Sequence, residues 1–150
     1  MEAVILVGIP GSGKSTFFRE RFFDTHVRIN LDMLRNRERE RILIAACLQA
    51  RQPFVVDNTN VQLEERARYI VPSKAAGFRV IGYYFPTELR AAIARNKSRH
   101  AGQVVPVPGL IAKHKRMQPP VLEEGFDEIF IVELTRENQF VVTSQAPANK

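Results

Sequence analysis

Residues 3–18 read Ala3-Val4-Ile5-Leu6-Val7-Gly8-Ile9-Pro10-Gly11-Ser12-Gly13-Lys14-Ser15-Thr16-Phe17-Phe18. The first five are uninterrupted and apolar, as a parallel strand buried on both faces requires. Residues 8–15 then satisfy G-x-x-x-x-G-K-[ST] in full. From Thr16 to Phe23 the spacing is helical, with Phe18 and Phe22 on one face. Strand, glycine-rich turn and helix together are the context in which this pattern becomes a phosphate site. Gly11 and Gly13 let the backbone curl so that several N–H groups converge on one anion, and the helix N-terminus adds partial positive charge. Gly8, Ile9, Pro10, Gly11, Ser12, Gly13, Lys14, Ser15 and Thr16 are therefore expected to cradle the phosphates of ATP or another nucleoside triphosphate. Lys14 would reach the β- and γ-phosphates, and the Ser15 hydroxyl would ligate Mg²⁺.

Working outward, the 150 residues fit one domain with a sizeable core. The lone cysteine, Cys47, excludes an internal disulfide and lies in the apolar run Ile42–Leu48, where a small buried residue is expected. The N-terminus has no basic leader, and no stretch is long and apolar enough to span a membrane, so an intracellular, cytoplasmic protein is expected. The net charge of +6 is uneven: residues 1–116 hold 20 Lys/Arg against 10 Asp/Glu, and residues 117–150 hold two against six. Between Arg95 and Arg116 there are six Lys/Arg, two His and no acid. Such a block attracts a polyanion, although a solvated face or a lid touching only the nucleotide would read the same way.

Apolar runs at 3–7, 54–56, 79–85 and 129–132 read as strands, alternating with helical patterns near 14–23, 35–50, 62–76 and 87–99. Gly77 suits the end of the third helix and Pro86-Thr87 the start of the fourth. This alternation predicts an α/β fold, a parallel sheet covered by helices on both faces. Residues 139–142 add a late strand, possible partner of 129–134 in a hairpin, and residues 143–150 read as a frayed tail. Residues 95–120 form a basic lid, interrupted at 102–108 by a hinge-like segment.

Ligands of open parallel sheets sit at the carboxyl ends of the strands. After Phe54-Val55-Val56 comes Asp57-Asn58-Thr59-Asn60, so Asp57 faces the phosphate loop, where it would hold Mg²⁺ or bond Ser15. Asn58 and Asn60 read better as turn and cap residues. After the short candidate strand His26–Ile29, Asn30-Leu31-Asp32-Met33-Leu34-Arg35 puts an acid and a base one helical turn apart. Asp32 suits a proton acceptor and Arg35 a fork for an acceptor phosphate. The same residues also read as a helix cap and a surface arginine.

The chain resembles the 5′-hydroxyl polynucleotide kinase branch of P-loop phosphotransferases, the kinase half of phage and animal end-healing enzymes. The likeness runs through residues 8–17, Asn30–Arg35, Val56–Asn60, Glu65–Tyr69, Arg95–Arg99, Val105-Pro106, Lys115–Pro120 and Glu124–Phe126. It implies a three-layer P-loop NTPase/kinase fold with a helical lid, with ATP and Mg²⁺ as cofactors and a 5′-hydroxyl end of DNA or RNA as partner. It implies Asp32 as the general base, and Arg35 as the contact to the acceptor's 3′-phosphate; animal members lack an arginine at that position. Arg99 resembles the lid arginine that stabilises charge on the transferring phosphoryl group, with Arg95 one turn earlier as its helper in nucleotide binding. End-healing kinases are usually fused to a phosphatase with Asp-x-Asp-Gly-Thr. No such motif occurs here, so a kinase-only domain is expected. Two alternatives share the loop: a kinase of a small hydroxylated metabolite, and a nucleotide-binding regulatory module in which Asp32 only caps a helix.

Overall fold

The computed structural model describes residues 1–99 and 104–145. In chain order the elements are β1 (Glu2–Val7), α1 (Lys14–Arg21), β2 (Val27–Ile29), α2 (Leu31–Leu34), α3 (Arg37–Ala50), β3 (Phe54–Val56) and α4 (Leu63–Ala75), followed by β4 (Arg79–Tyr84), α5 (Leu89–Lys97), α6 (Val107–Arg116), a 3₁₀ turn (Leu122–Glu124), β5 (Glu128–Leu134) and β6 (Phe140–Ser144). The six strands form one sheet in the order β2-β3-β1-β4-β5-β6. The first five run parallel, and β6 pairs antiparallel with β5, Val132 opposite Val142. The sheet is therefore mixed rather than wholly parallel, because residues 135–139 make a turn too short for a crossover.

Alternation along β1 sorts the two cores. Ala3, Ile5 and Val7 face Ile29, Phe54, Val56 and Phe78, with α3 and α4 supplying Ile44, Cys47, Tyr69 and Ile70. Val4 and Leu6 face Phe17, Phe18 and Phe22 of α1 and its end, together with Val55, Phe85 and Val132. Helices thus cover both faces, and the three-layer expectation holds. A third, smaller cluster of Ile9, Val61, Ala92 and Leu110 packs α5 and α6 against the phosphate loop.

Three local expectations change. The helix placed at 35–50 begins at Arg37, and residues 31–34 form a separate short helix, because Arg35 takes a left-handed φ of 78° and ends α2, while Asn36 caps α3 by accepting from Arg39 N at 2.8 Å. Asp32 and Arg35 are consequently not successive positions on one helical face. Thr143 and Ser144 belong to β6 instead of a frayed tail, since Phe140 packs edge-on to Phe17 at 5.2 Å and anchors the strand. Residues 100–103 of the expected lid, which include 102–103 of its hinge, and residues 146–150 of the tail lie outside the described residues; α6 begins at Val107, with Pro106 as its cap and Pro108 in its first turn.

Candidate active site

The phosphate loop joins β1 to α1, where Gly11 and Gly13 hold φ of 84° and 98°. A Cβ at Gly11 would also sit 2.5 Å from the Ala92 carbonyl of α5, so both backbone angle and contact demand glycine there. Lys14 is buried, and its Nζ donates to Ile9 O at 3.0 Å and lies 3.4 Å from Ser12 Oγ. Pro10, Gly11, Gly13, Lys14, Ser15 and Thr16 line a cavity of about 800 Å³; Gly8, Ile9 and Ser12 lie beneath it, buried.

The end of β3 brings Asp57 under the loop, 2% exposed, where its Oδ2 accepts from Ser15 Oγ at 3.1 Å. A carboxylate oxygen beside a hydroxyl suits a hard divalent cation, with phosphate oxygens and water completing the sphere. Among the described residues no group of three or more His, Cys, Asp or Glu could hold a metal unaided. The same Oδ2 also accepts from Arg28 Nε at 2.9 Å, with Nη2 in ion-pair contact at the same distance. Arg28 escaped the sequence analysis. Its signal was the alternation of β2, in which Val27 and Ile29 turn to the α3/α4 core and Arg28 to the α1 face.

Opposite the loop, α2 is tied to β3 by side-chain amides. Asn30 donates to Asp57 O at 2.6 Å and accepts from Met33 N at 2.9 Å, so Asn30 is the helix cap and Asp32 is not. Asn58 Oδ1 accepts from Leu31 N at 2.8 Å, while its Nδ2 donates to Glu40 and to the Tyr69 hydroxyl, each at 3.1 Å. Asn60, at φ 49°, donates to Leu6 O at 2.8 Å; the cap of α4 is Gln62. Asp32 is exposed and lines the cavity. Arg35 is exposed and lies outside the lining, whereas Arg37 is within it, bonded to Glu40 at 2.9 Å and to Tyr69 Oη at 3.0 Å. Arg37, itself half exposed, is thus the arginine of this segment that lines the cavity.

From the lid side, Arg95 donates to Gly11 O at 3.1 Å, and Arg95 and Arg99 both line the cavity. Lys113 of α6 joins them, reaching Thr59 Oγ1 at 3.3 Å. It sat unmarked in the basic block, since nothing local distinguishes it from Lys115. Asp32, Arg37, Arg95, Arg99 and Lys113 thus share one cavity with the loop, brought together from α2, α3, α5 and its end, and α6.

Burial lowers the Lys14 ammonium from its usual 10.5 to about 8, opposed by Asp57 and assisted by Arg99 and Lys113. A bound polyanion restores the charged form, so binding takes up a proton wherever the free protein has lost it. The Lys14 contribution to triphosphate affinity is thus level below about pH 7 and falls through and above pH 8, by up to about tenfold per unit. Calorimetry at about pH 8.5 in two buffers of different ionisation enthalpy will show uptake approaching one proton; Lys14→Arg, always charged, removes it. Equal observed heats in the two buffers for the parent protein would refute this.

Residues 4–120 match the family model AAA_33, described as an AAA domain. The chain belongs to this family. Its fold is that of P-loop kinases: it superposes on a gluconokinase from Sinorhizobium meliloti 1021 with TM-score 0.60 at 19% identity, covering 88% of this chain and 82% of that one. Kti12 of Chaetomium thermophilum in complex with ADP-AlF3 gives TM-score 0.66 at 15% identity, covering 87% and 88%. Among curated proteins the AAA domain described here is similar to a bifunctional polynucleotide phosphatase/kinase of Schizosaccharomyces pombe, 27% identical over 132 residues and 85% of this chain. The chain spans about a third (32%) of the length of that relative. Among the described residues no helix is long and apolar enough to cross a membrane.

Proposed function

We propose that this domain transfers the γ-phosphate of ATP to the 5′-hydroxyl of a polynucleotide. The observation that carries the reading is a single cavity lined by the phosphate loop, by the exposed carboxylate of Asp32 and by arginines of both lid and acceptor sides. Asp32 takes the proton of the 5′-hydroxyl as its oxygen bonds to the γ-phosphorus; the bond to the β-phosphate oxygen breaks, and ADP leaves. Lys14, Arg95 and Arg99 draw off the charge that develops on the transferring group, with Lys113 adding to the field. Ser15 and Asp57 hold Mg²⁺, which neutralises phosphate charge when bound. Arg37, which faces inward where Arg35 does not, is the acceptor-side arginine of this reading, and the similarity to a polynucleotide kinase supports the choice of acceptor.

Incubation with γ-labelled ATP and a 5′-hydroxyl oligonucleotide tests it. Label appears at the 5′ end, the KM for oligonucleotide rises steeply with salt, and the KM for ATP changes less. An oligonucleotide already carrying a 5′-phosphate accepts no label. Transfer to a small polyol alone would overturn the polynucleotide reading in favour of a metabolite kinase. Binding of ATP without transfer to any acceptor would leave a regulatory module.

A further inference from the structure

The Asp57–Ser15 pair that would hold a divalent cation is already engaged by a cation of the protein's own. Arg28 directs Nε and Nη2 to Asp57 Oδ2, each at 2.9 Å, and Nη2 also donates to Ser15 Oγ at 3.3 Å. The Ser15 hydroxyl spends its own proton on the same Oδ2, at 3.1 Å. One carboxylate oxygen therefore accepts from Ser15 Oγ and Arg28 Nε with Nη2 in ion-pair contact beside them, and the hydroxyl oxygen that a metal would use accepts from the arginine.

The arrangement is electrostatically reasoned. Asp57 is 2% exposed, and a buried carboxylate needs a countercharge. Lys14 bends back to the loop carbonyl of Ile9 and makes no hydrogen bond to Asp57. Arg28 supplies the charge, held from an edge strand with its guanidinium 5.9 Å from the centre of the Phe18 ring. Its side chain keeps 29% of its exposure against 1% for Asp57, so it alone of the two has a route to solvent.

We propose that Arg28 is a built-in competitor of the divalent cation: it neutralises Asp57 while the site carries no metal and must leave Oδ2 and Ser15 Oγ when metal binds. Arg28 thereby sets the metal concentration at which the domain becomes competent and guards the pair against loading without nucleotide. The inference rests on Ser15 and Asp57 being the metal-holding pair.

Mn²⁺ read by its solution EPR signal tests it without recourse to turnover. The protein is saturated with ADP, and a protein-free ADP titration is subtracted. Arg28→Ala tightens Mn²⁺ binding by about tenfold, the loss of one charge-assisted contact from the competing side. Arg28→Lys keeps the charge but loses the two-pronged grip, and tightens binding by a smaller factor. Without metal, both variants melt below the parent protein, and saturating Mn²⁺ raises their midpoints by more than it raises the parent's. Unchanged or weaker Mn²⁺ binding in both variants would overturn the proposal. Asp57→Ala separates the two layers: if it abolishes Mn²⁺ binding while the Arg28 variants do nothing, only the competition fails. If Asp57→Ala leaves Mn²⁺ binding intact, the metal pair itself is misplaced and both readings fall.

Discussion

Asp32→Asn lowers kcat for phosphoryl transfer by about two to four orders of magnitude and leaves nucleotide affinity within a factor of about two. The asparagine keeps size and polarity but cannot accept the hydroxyl proton. The position also tolerates the exchange structurally, because Asp32 is exposed and the cap of its helix is Asn30, whose side chain accepts from Met33 N. Loss of folding therefore does not explain a loss of turnover. Steady-state kinetics with a 5′-hydroxyl oligonucleotide, paired with calorimetric ADP binding, separate the two quantities. Turnover within about threefold of the parent would remove Asp32 from proton transfer, since a general base contributes far more than that.

Arg66→Met destabilises the domain by about 3–5 kcal/mol, the cost of stranding a buried charge. Arg66 is fully buried and forms a two-pronged ion pair with Glu124 at 2.7 and 2.8 Å. Its Nη1 also donates to the carbonyls of Asn60, Val61 and Gln118 at 3.0, 3.3 and 2.8 Å. One guanidinium thus ties the loop after β3, which carries Asp57, to the segment that follows the lid. Urea titration measures the loss as a lower midpoint with an unchanged slope. Arg66→Met with Glu124→Leu recovers only part of it, because removing the partner charge does nothing for the Asn60 and Gln118 carbonyls that lose their donor, whereas Val61 O keeps the Gln118 N–H at 2.8 Å. Full recovery in the double variant would show that the ion pair alone matters and that the carbonyl contacts are energetically idle.

Arg66 also shows what a chain conceals. Read locally it is a charged residue in the first turns of an amphipathic helix, between Glu65 and Arg68, and such residues are ordinarily solvated. Its burial follows from Glu124 arriving from 58 positions away. The break between α2 and α3 was hidden for a different reason. It is a single left-handed residue at Arg35, where an arginine gives no signal of the kind glycine gives. Beyond it, Arg37 rather than Arg35 lines the cavity.

What the sequence by itself determined is the donor half of the site. The phosphate loop is local: eight consecutive residues, two obligatory glycines and a following helix specify its shape with little help from the rest of the chain. The order of strands and helices was legible too, because period-2 and period-3.6 patterns are properties of neighbouring residues. Only the tertiary structure decided which cations reach the cavity. Arg28, Arg37 and Lys113 are not marked out from the charged residues around them, and their placement depends on strand pairing, on the turn between α2 and α3 and on the packing of Leu110 against Ile9 and Ala92. Long-range contacts of that kind leave no periodic trace, so their chemistry becomes visible only once the chain is folded.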